Sequence, residues 1–516
     1  MTSGTSVSPQ RSTTKPDTAF AVGVAVLFAC VCGFAISYHE MWRDEMQSWL
    51  IARSSRTLAE LRDAIRYEGH PAIWYLLLYG VTRLTQRPET MQILHVVIGS
   101  ACAFVFARSA PFPRWARLCF VLGYFSVYEY GVISRNYSIG ILFLFVAAAL
   151  LPRRHERPWL LGLLLALAAQ TTAMALIVAA AFAGTVFLEP WVARGGRASV
   201  TAALKTLGVA GAGILLAAIY VTPPADTGYA DVWVLEPNRL RAERVLGLFA
   251  RALLPLPGER GGLGDVWAMT GSHHVPPLVA LVLIACLVPW LLRRKVALLM
   301  FVAGTSALLL FFYTKLDGSL RHHGFLFINL VLALWYAEVV RREITAQPVV
   351  AHGSSRGERL FTRLAGALLF VHVALAALAV REEVSSVFSA GRATAELLVA
   401  NDLDELPIVA DPDVYMTSVL GYLHQRTFYY PRGSRFGSFT RWDKARTDDE
   451  LSDEQLIAAV RDLGRESRSA VGIVVARRLP PGIAAGVDEI GCVSADLLPP
   501  ESFCVYRLRA PSSPKM

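Results

Sequence analysis

Residues 19–49 read AFAVGVAVLFACVCGFAISYHEMWRDEMQSW. The part from Ala19 to Tyr38 is apolar and carries no charge, the length a helix needs to cross about 30 Å of hydrocarbon. Two adjacent carboxylates, Asp44 and Glu45, follow it closely beside Arg43. The run lacks a small-residue cleavage end and more apolar runs follow, so it reads as a first membrane span, not a signal peptide. The whole chain agrees: of 516 residues 54% are apolar and 18% charged, with a mean hydropathy of +0.43. Ordinary globular chains have about 45–50% and about 25%. A disordered, collagen-like or ordinary cytosolic chain is excluded, and a polytopic α-helical membrane protein is expected. The net charge of +9 contains no dense Lys/Arg run, so nucleic acid is not an expected partner.

Eleven spans are expected, at 19–38, 90–108, 115–131, 138–151, 158–170, 173–189, 204–221, 276–292, 296–313, 324–340 and 361–380. The short loops with Arg108, Arg114 and Arg117, with Arg153, Arg154 and Arg157, with Arg293, Arg294 and Lys295, and with Arg341 and Arg342 are basic, which places them in the cytoplasm. The expected domains are a disordered cytoplasmic N-terminus (1–17), a transmembrane domain (18–380) and an extracytoplasmic α/β domain (381–516). Two long extracytoplasmic segments, 39–89 and 222–275, interrupt the transmembrane domain. Within 39–89, residues 46–66 set Met46, Trp49, Leu50, Leu58, Leu61 and Ile65 at helical spacing between arginines, the pattern of an amphipathic helix lying in the membrane interface. Residues 71–85 are apolar but short for a span, and read as a second juxtamembrane helix.

In the tail, strands are expected at 406–410, 427–430, 470–476 and 502–508, with helices at 381–405, 414–425 and 454–468. Five cysteines (Cys30, Cys32, Cys102, Cys119 and Cys286) lie in apolar runs and read as buried small hydrophobes. Cys492 and Cys504 either pair, outside the cytoplasm, or remain reduced and half-buried.

Four segments carry chemistry. Asp44-Glu45 offers a general base at a membrane boundary, or simply a helix start that complements the dipole. Glu68-Gly69-His70-Pro71 offers an imidazole for a phosphate oxygen or a metal, or a helix cap. Glu129 with Ser134-Arg135-Asn136-Tyr137 is either functional or a Glu and an Arg snorkelling at span ends. Lys315-Leu316-Asp317-Gly318-Ser319-Leu320-Arg321-His322-His323 suits phosphate, or lipid headgroups. All four fall on one face of the expected topology, although Asp44 and His323 are far apart in the chain.

These residues resemble the GT-C superfamily of membrane glycosyltransferases, in the branch of the protein O-mannosyltransferases and the bacterial lipid A aminoarabinose transferases. The resemblance rests on Arg43-Asp44-Glu45 and on Gly69-His70-Pro71-Ala72-Ile73-Trp74-Tyr75-Leu76-Leu77-Leu78, similar to the family's H-P-P-L-x-Y-x-L-L segment. Ser134-Arg135-Asn136-Tyr137 and Arg321-His322-His323-Gly324 add to it, and it spans roughly residues 18–340. Ala72 replaces the usual second proline, and Glu129 lies in no recognisable motif. The resemblance implies a polyprenyl-phosphate-sugar donor and an extracytoplasmic acceptor, which is a glycan, a glycolipid or a protein hydroxyl. It implies Asp44 as catalytic carboxylate supported by Glu45, with Glu129 as a second acidic residue. Arg135, Lys315, Arg321, His322 and His323 would bind the donor phosphate, with His70, Glu68 and Tyr137 at the substrate site. Some relatives use a divalent metal and others none; no cofactor is otherwise implied. The rival readings are a transporter, which predicts internal repeats and midplane charges, and a non-catalytic lipid- or glycan-binding membrane protein. The sequence names neither the sugar nor the acceptor.

Overall fold

The apolar run behind the opening motif folds as helix α1 (Thr18–Ile36). The computed structural model describes residues 17–192, 196–228, 233–256, 277–345, 356–424, 426–483 and 486–509. Nearly all of the expected N-terminal segment (1–17), the stretches 229–232 and 257–275 of the second long segment, and the end of the tail lie outside these residues. Among the described residues seven helices are long and apolar enough to cross a membrane: α1, Glu89–Ser109, Ala173–Val192, Arg197–Val221, Lys295–Thr314, Leu320–Glu343 and Thr362–Ser385. Tyr137–Arg153, Pro158–Ala169 and Leu278–Leu292 are apolar but shorter.

The expected span at 115–131 is not one helix. It divides into an α-helix (Arg114–Val121) and a π-helical segment (Phe125–Val132). The division falls at Gly123, where an added Cβ would lie 3.1 Å from the His372 Cβ, so the glycine lets the neighbouring helix approach closely. The second long segment also holds an unexpected helix, Arg239–Leu253, with Val245, Phe249, Ala252 and Leu253 buried. Its arginine-rich sequence hides that apolar stripe. Cys32 is buried as expected, but Cys30 and Cys286 are exposed on the outward sides of helices that are apolar all round.

The loops expected to share the basic side do meet. The Arg154 guanidinium, 4% exposed, spans Glu189 and Glu343 at 2.6 Å each, and Arg342 donates to the Pro111 carbonyl at 3.0 Å. Such a buried network fixes helix ends in register because breaking it would strand an unpaired charge.

The other end of the bundle carries α2 (Arg43–Ser54), α3 (Leu58–Ile65) and α4 (Ile73–Thr82). The expected single helix at 46–66 is two. Ser55 is extended and its hydroxyl turns back onto the Ile51 carbonyl at 2.7 Å, while Thr57 caps the next helix through the Glu60 N–H. Nor does α2 lie as an amphipathic helix with one face in water. Met46, Trp49, Leu50, Ile51 and Ala52 are all fully buried. The polar face expected of an interfacial helix is covered by the tail.

The tail builds a six-stranded mixed sheet in the order β3-β2-β1-β4-β6-β5. The strands are β1 (Ile408–Asp411), β2 (Phe428–Tyr430), β3 (Arg435–Gly437), β4 (Val471–Val475), β5 (Val487–Val493) and β6 (Phe503–Leu508). β1 runs parallel to β2 and β4, and the remaining pairs are antiparallel. Cys492 and Cys504 face each other across β5 and β6 and are bonded. Helices Gly391–Ala400 and Asp413–Leu420 cover the side turned to α2. Leu398, Met416 and Leu420 of the tail share one core with Met46, Leu50 and Trp74 of the first long segment. At the seam Gly421 meets the Met46 side chain so closely that a Cβ has no room.

One shared core has a measurable consequence. Leu420→Ala should cost about 2–5 kcal/mol and lower the unfolding temperature of the segment 39–89 together with that of the tail, in a single transition. Protease accessibility of the two regions during thermal unfolding checks this.

Candidate active site

Asp44 sits in the first turn of α2, where a carboxylate favours the helix dipole. Its Oδ2 accepts a hydrogen bond from Arg321 Nη2 at 3.0 Å, and Arg43 Nε lies 3.7 Å from Oδ1. Arg135 reaches the Asp44 backbone carbonyl and donates to Ser48 Oγ at 3.3 Å. Arg135 and Arg321 are buried, at 7% and 4% exposed, whereas the Asp44 side chain keeps 27% of its accessibility. Burial alone would raise the Asp44 carboxyl. Arg135, Arg321 and Arg43 outweigh it and hold the group below the usual carboxylate range. The site therefore offers one ionised, accessible carboxylate among three guanidinium groups.

Glu45 is the next residue, yet it points elsewhere, since successive helical residues diverge by about 100°. It is fully buried. Oε1 accepts from the Ser134 N–H at 2.6 Å, and Oε2 from the Trp42 N–H at 3.2 Å and from His39 Nε2 at 2.8 Å. His39 Nδ1 lies 2.8 Å from Glu383 Oε1. A ring held between two carboxylates donates from both nitrogens as an imidazolium. Burial would lower its pKa, but Glu45 and Glu383 together lift it to about 10. Glu45 is thus a strut beneath Asp44, remote from solvent, and not a second exposed acid.

His70 flanks the cations. Its Nε2 lies 3.4 Å from Arg135 Nη2. A guanidinium only donates, so Nε2 accepts and the neutral ring carries its proton on Nδ1. Burial, then Arg135, pushes this imidazole down to about 3. Nδ1 is buried and has no hydrogen-bond partner among the described residues. Glu68 accepts from Gln47 Nε2 at 2.9 Å and from the Tyr75 hydroxyl at 3.4 Å, and burial pushes its carboxyl up to about 7.

The remaining expected residues divide. From the first turn of helix Leu320–Glu343, the structure brings Arg321 onto Asp44. His322 Nδ1 accepts the Ser319 N–H at 2.8 Å, so its Nε2 donates to the Tyr137 hydroxyl at 3.0 Å. His323 Nε2 donates to the Asp317 carbonyl at 2.9 Å. Both histidines brace the turn at Gly318, whose φ is +71, instead of adding donors beside Asp44. Lys315 lies over the Trp233 ring at 5.2 Å. Glu129 is 1% exposed and accepts from the Tyr124 hydroxyl at 2.8 Å, inside the bundle and within electrostatic reach of Arg321.

Several residues at the site carried no signal in the sequence. Trp42 lies under the Arg321 guanidinium at 4.9 Å. The tail supplies three more. Glu501 Oε1 accepts the Arg43 N–H at 3.1 Å, the Thr417 hydroxyl donates to the Arg43 carbonyl at 3.1 Å, and Tyr415 lies 4.7 Å from the Arg43 guanidinium. The peptide units on either side of Arg43, next to Asp44, are thus held from both sides by residues nearly 400 or more positions away.

Among the described residues no three His, Cys, Asp or Glu side chains are grouped to hold a metal ion. Arg321, Arg43 and Arg135 beside Asp44 would repel such an ion, so the described residues do not fit a divalent metal.

No family model matches the chain, and no curated protein matches it.

The Glu501 contact is pH-dependent. Burial pushes this carboxyl up to about 7 from an ordinary value of about 4.3. A raised carboxyl binds its proton more tightly in the folded chain, so its contribution to stability is full below the ordinary value and is lost as pH rises through about 7. Thermal unfolding should show the wild type losing stability between pH 5 and pH 8, and Glu501→Gln flattening that loss.

Proposed function

We propose that the chain is an integral membrane glycosyltransferase of the GT-C type, moving a sugar from a polyprenyl-phosphate donor to an extracytoplasmic hydroxyl with inversion. The observation that carries this reading is the accessible Asp44 carboxylate among Arg43, Arg135 and Arg321. Guanidinium groups suit a phosphate, bidentate in geometry and charged at every relevant pH. The placement of Asp44, His70, Arg135 and Arg321 together, from four distant segments, supports the motif resemblance.

In this reading the bundle makes eleven crossings. The seven long helices and the three shorter apolar ones are joined by the broken segment 114–132 as the eleventh. The basic end faces the cytoplasm, and the site and tail face outward. The disulfide between Cys492 and Cys504 suits that side, because such bonds persist in oxidising compartments.

The donor's prenyl chain lies among the helices and its phosphate meets Arg135 and Arg321. The acceptor hydroxyl oxygen attacks the anomeric carbon from the face opposite the phosphate. The bond from that carbon to the phosphate oxygen breaks, and its electron pair stays on the polyprenyl phosphate. The acceptor proton passes to Asp44. The guanidinium groups stabilise the charge that gathers on the leaving phosphate.

Loss of the protein in its host should remove one sugar from the envelope glycans, read by mass analysis, and the wild-type gene should restore it. Asp44→Asn should restore none, a loss of at least about 100-fold, with the protein present in the membrane at wild-type level. Full restoration by Asp44→Asn would refute the assignment. Arg321→Ala should restore the sugar only when donor supply is raised, since it weakens phosphate binding.

A further inference from the structure

The proposed phosphate site contains its own anion. Arg321 donates to the Asp44 carboxylate at 3.0 Å, Arg43 lies 3.7 Å from its other oxygen, and Arg135 is bound to the same residue through the backbone. The other described carboxylates nearby accept hydrogen bonds from uncharged donors or from His39. Glu68 accepts from Gln47 and Tyr75, Glu129 from Tyr124, Glu501 from the Arg43 backbone and Ser389, and Glu45 from Ser134, Trp42 and His39. Among the described residues Asp44 is the carboxylate hydrogen-bonded to the Arg321 guanidinium. A donor phosphate that reaches Arg321 must face Asp44 across the same guanidinium group.

We infer that Asp44 is the resting counter-ion of the phosphate site, and that a polyprenyl phosphate displaces it from Arg321 and thereby frees it for the acceptor hydroxyl. The inference rests on the glycosyltransferase reading and adds an order of events to it. Arg321 is 4% exposed and seated on Trp42, so parting it from Asp44 costs free energy that an arriving anion recovers. Once the phosphate neutralises Arg321, Asp44 loses an interaction that keeps it a weak base, and the partly buried carboxylate becomes a better proton acceptor. Without donor, Asp44 remains paired with Arg321 and is the weaker base, so the productive order runs donor first.

The test needs no knowledge of the sugar. The full-length protein in nanodiscs is titrated with a polyprenyl monophosphate carrying no sugar, with the uncharged polyprenol as control. If Asp44 competes with the phosphate, Asp44→Asn binds the monophosphate about tenfold more tightly than wild type, although it transfers nothing. Asp44→Ser does the same, which guards against one variant that folds poorly. Arg321→Ala weakens binding, and adding Asp44→Asn to Arg321→Ala gives no further gain, because the pair is then already broken. Equal or weaker binding by both Asp44 variants overturns the inference and leaves the transferase reading standing. A gain that persists in the Arg321→Ala background also overturns it, by revealing a general charge effect. Failure of every variant, wild type included, to prefer the monophosphate over the polyprenol overturns the donor assignment and the inference together.

Discussion

Helix α2 is buried against the membrane helices on one side and against the tail on the other, and that burial dictates much of what surrounds it. A polar group removed from water must find a partner inside the protein. Glu45 finds His39, and His39 needs a second carboxylate, which Glu383 supplies from the end of the last long helix. Gln47 pairs with the backbone of Thr440 in both directions and also holds Glu68. Arg53 is spent on the carbonyls at the end of the tail helix Asp413–Leu420. Each of these partners is fixed in turn, so the demand for satisfied polar groups on one short helix ties together the bundle, the segment 67–70 and the tail.

The same constraint separates two neighbours that look alike in the sequence. Asp44 and Glu45 are both acidic and both at the start of α2. The helix turn sends Glu45 inward, where it shares the His39 imidazolium with Glu383 and is buried. Asp44 is sent to the rim, where guanidinium groups outnumber it and solvent still reaches it. A buried carboxylate with both oxygens bonded is a strut. An outnumbered carboxylate at an opening is a place where another anion can be accommodated, and this difference in charge balance, more than acidity itself, distinguishes a chemical group from a structural one.

Much of this was legible in the sequence, and the reason is local. Apolar runs of membrane length and short basic loops report on single helices and their ends. The seven long helices among the described residues follow from that kind of signal, as does the placing of Arg154 and Arg342 at one end of the bundle. The tail strands at 408–411, 428–430, 471–475 and 503–508 were legible because buried strands are continuous apolar runs. β5 was not, since its residues VDEIGCV are only half buried and resemble a loop. The grouping of Asp44, His70, Arg135 and Arg321 was legible as one face of a topology. The division of labour within it was not, because His322 and Arg321 differ only in which way one turn of chain points them.

The largest misreading concerned α2, and it is instructive about what a periodic pattern means. Arginines between apolar residues describe a helix with two different faces, and a membrane interface is the simplest surroundings that match. A protein surface of matching polarity serves equally well. Here Leu420, Met416 and Gly421 meet the apolar positions, and backbone carbonyls meet Arg53. The tail therefore stands where headgroups and water were expected. Its contacts with the Arg43 backbone through Glu501 and Thr417 make it a wall of the site and not an appendage beside it. A domain in that position limits the direction from which a solute can reach Asp44, because the helix bundle lies on the other side.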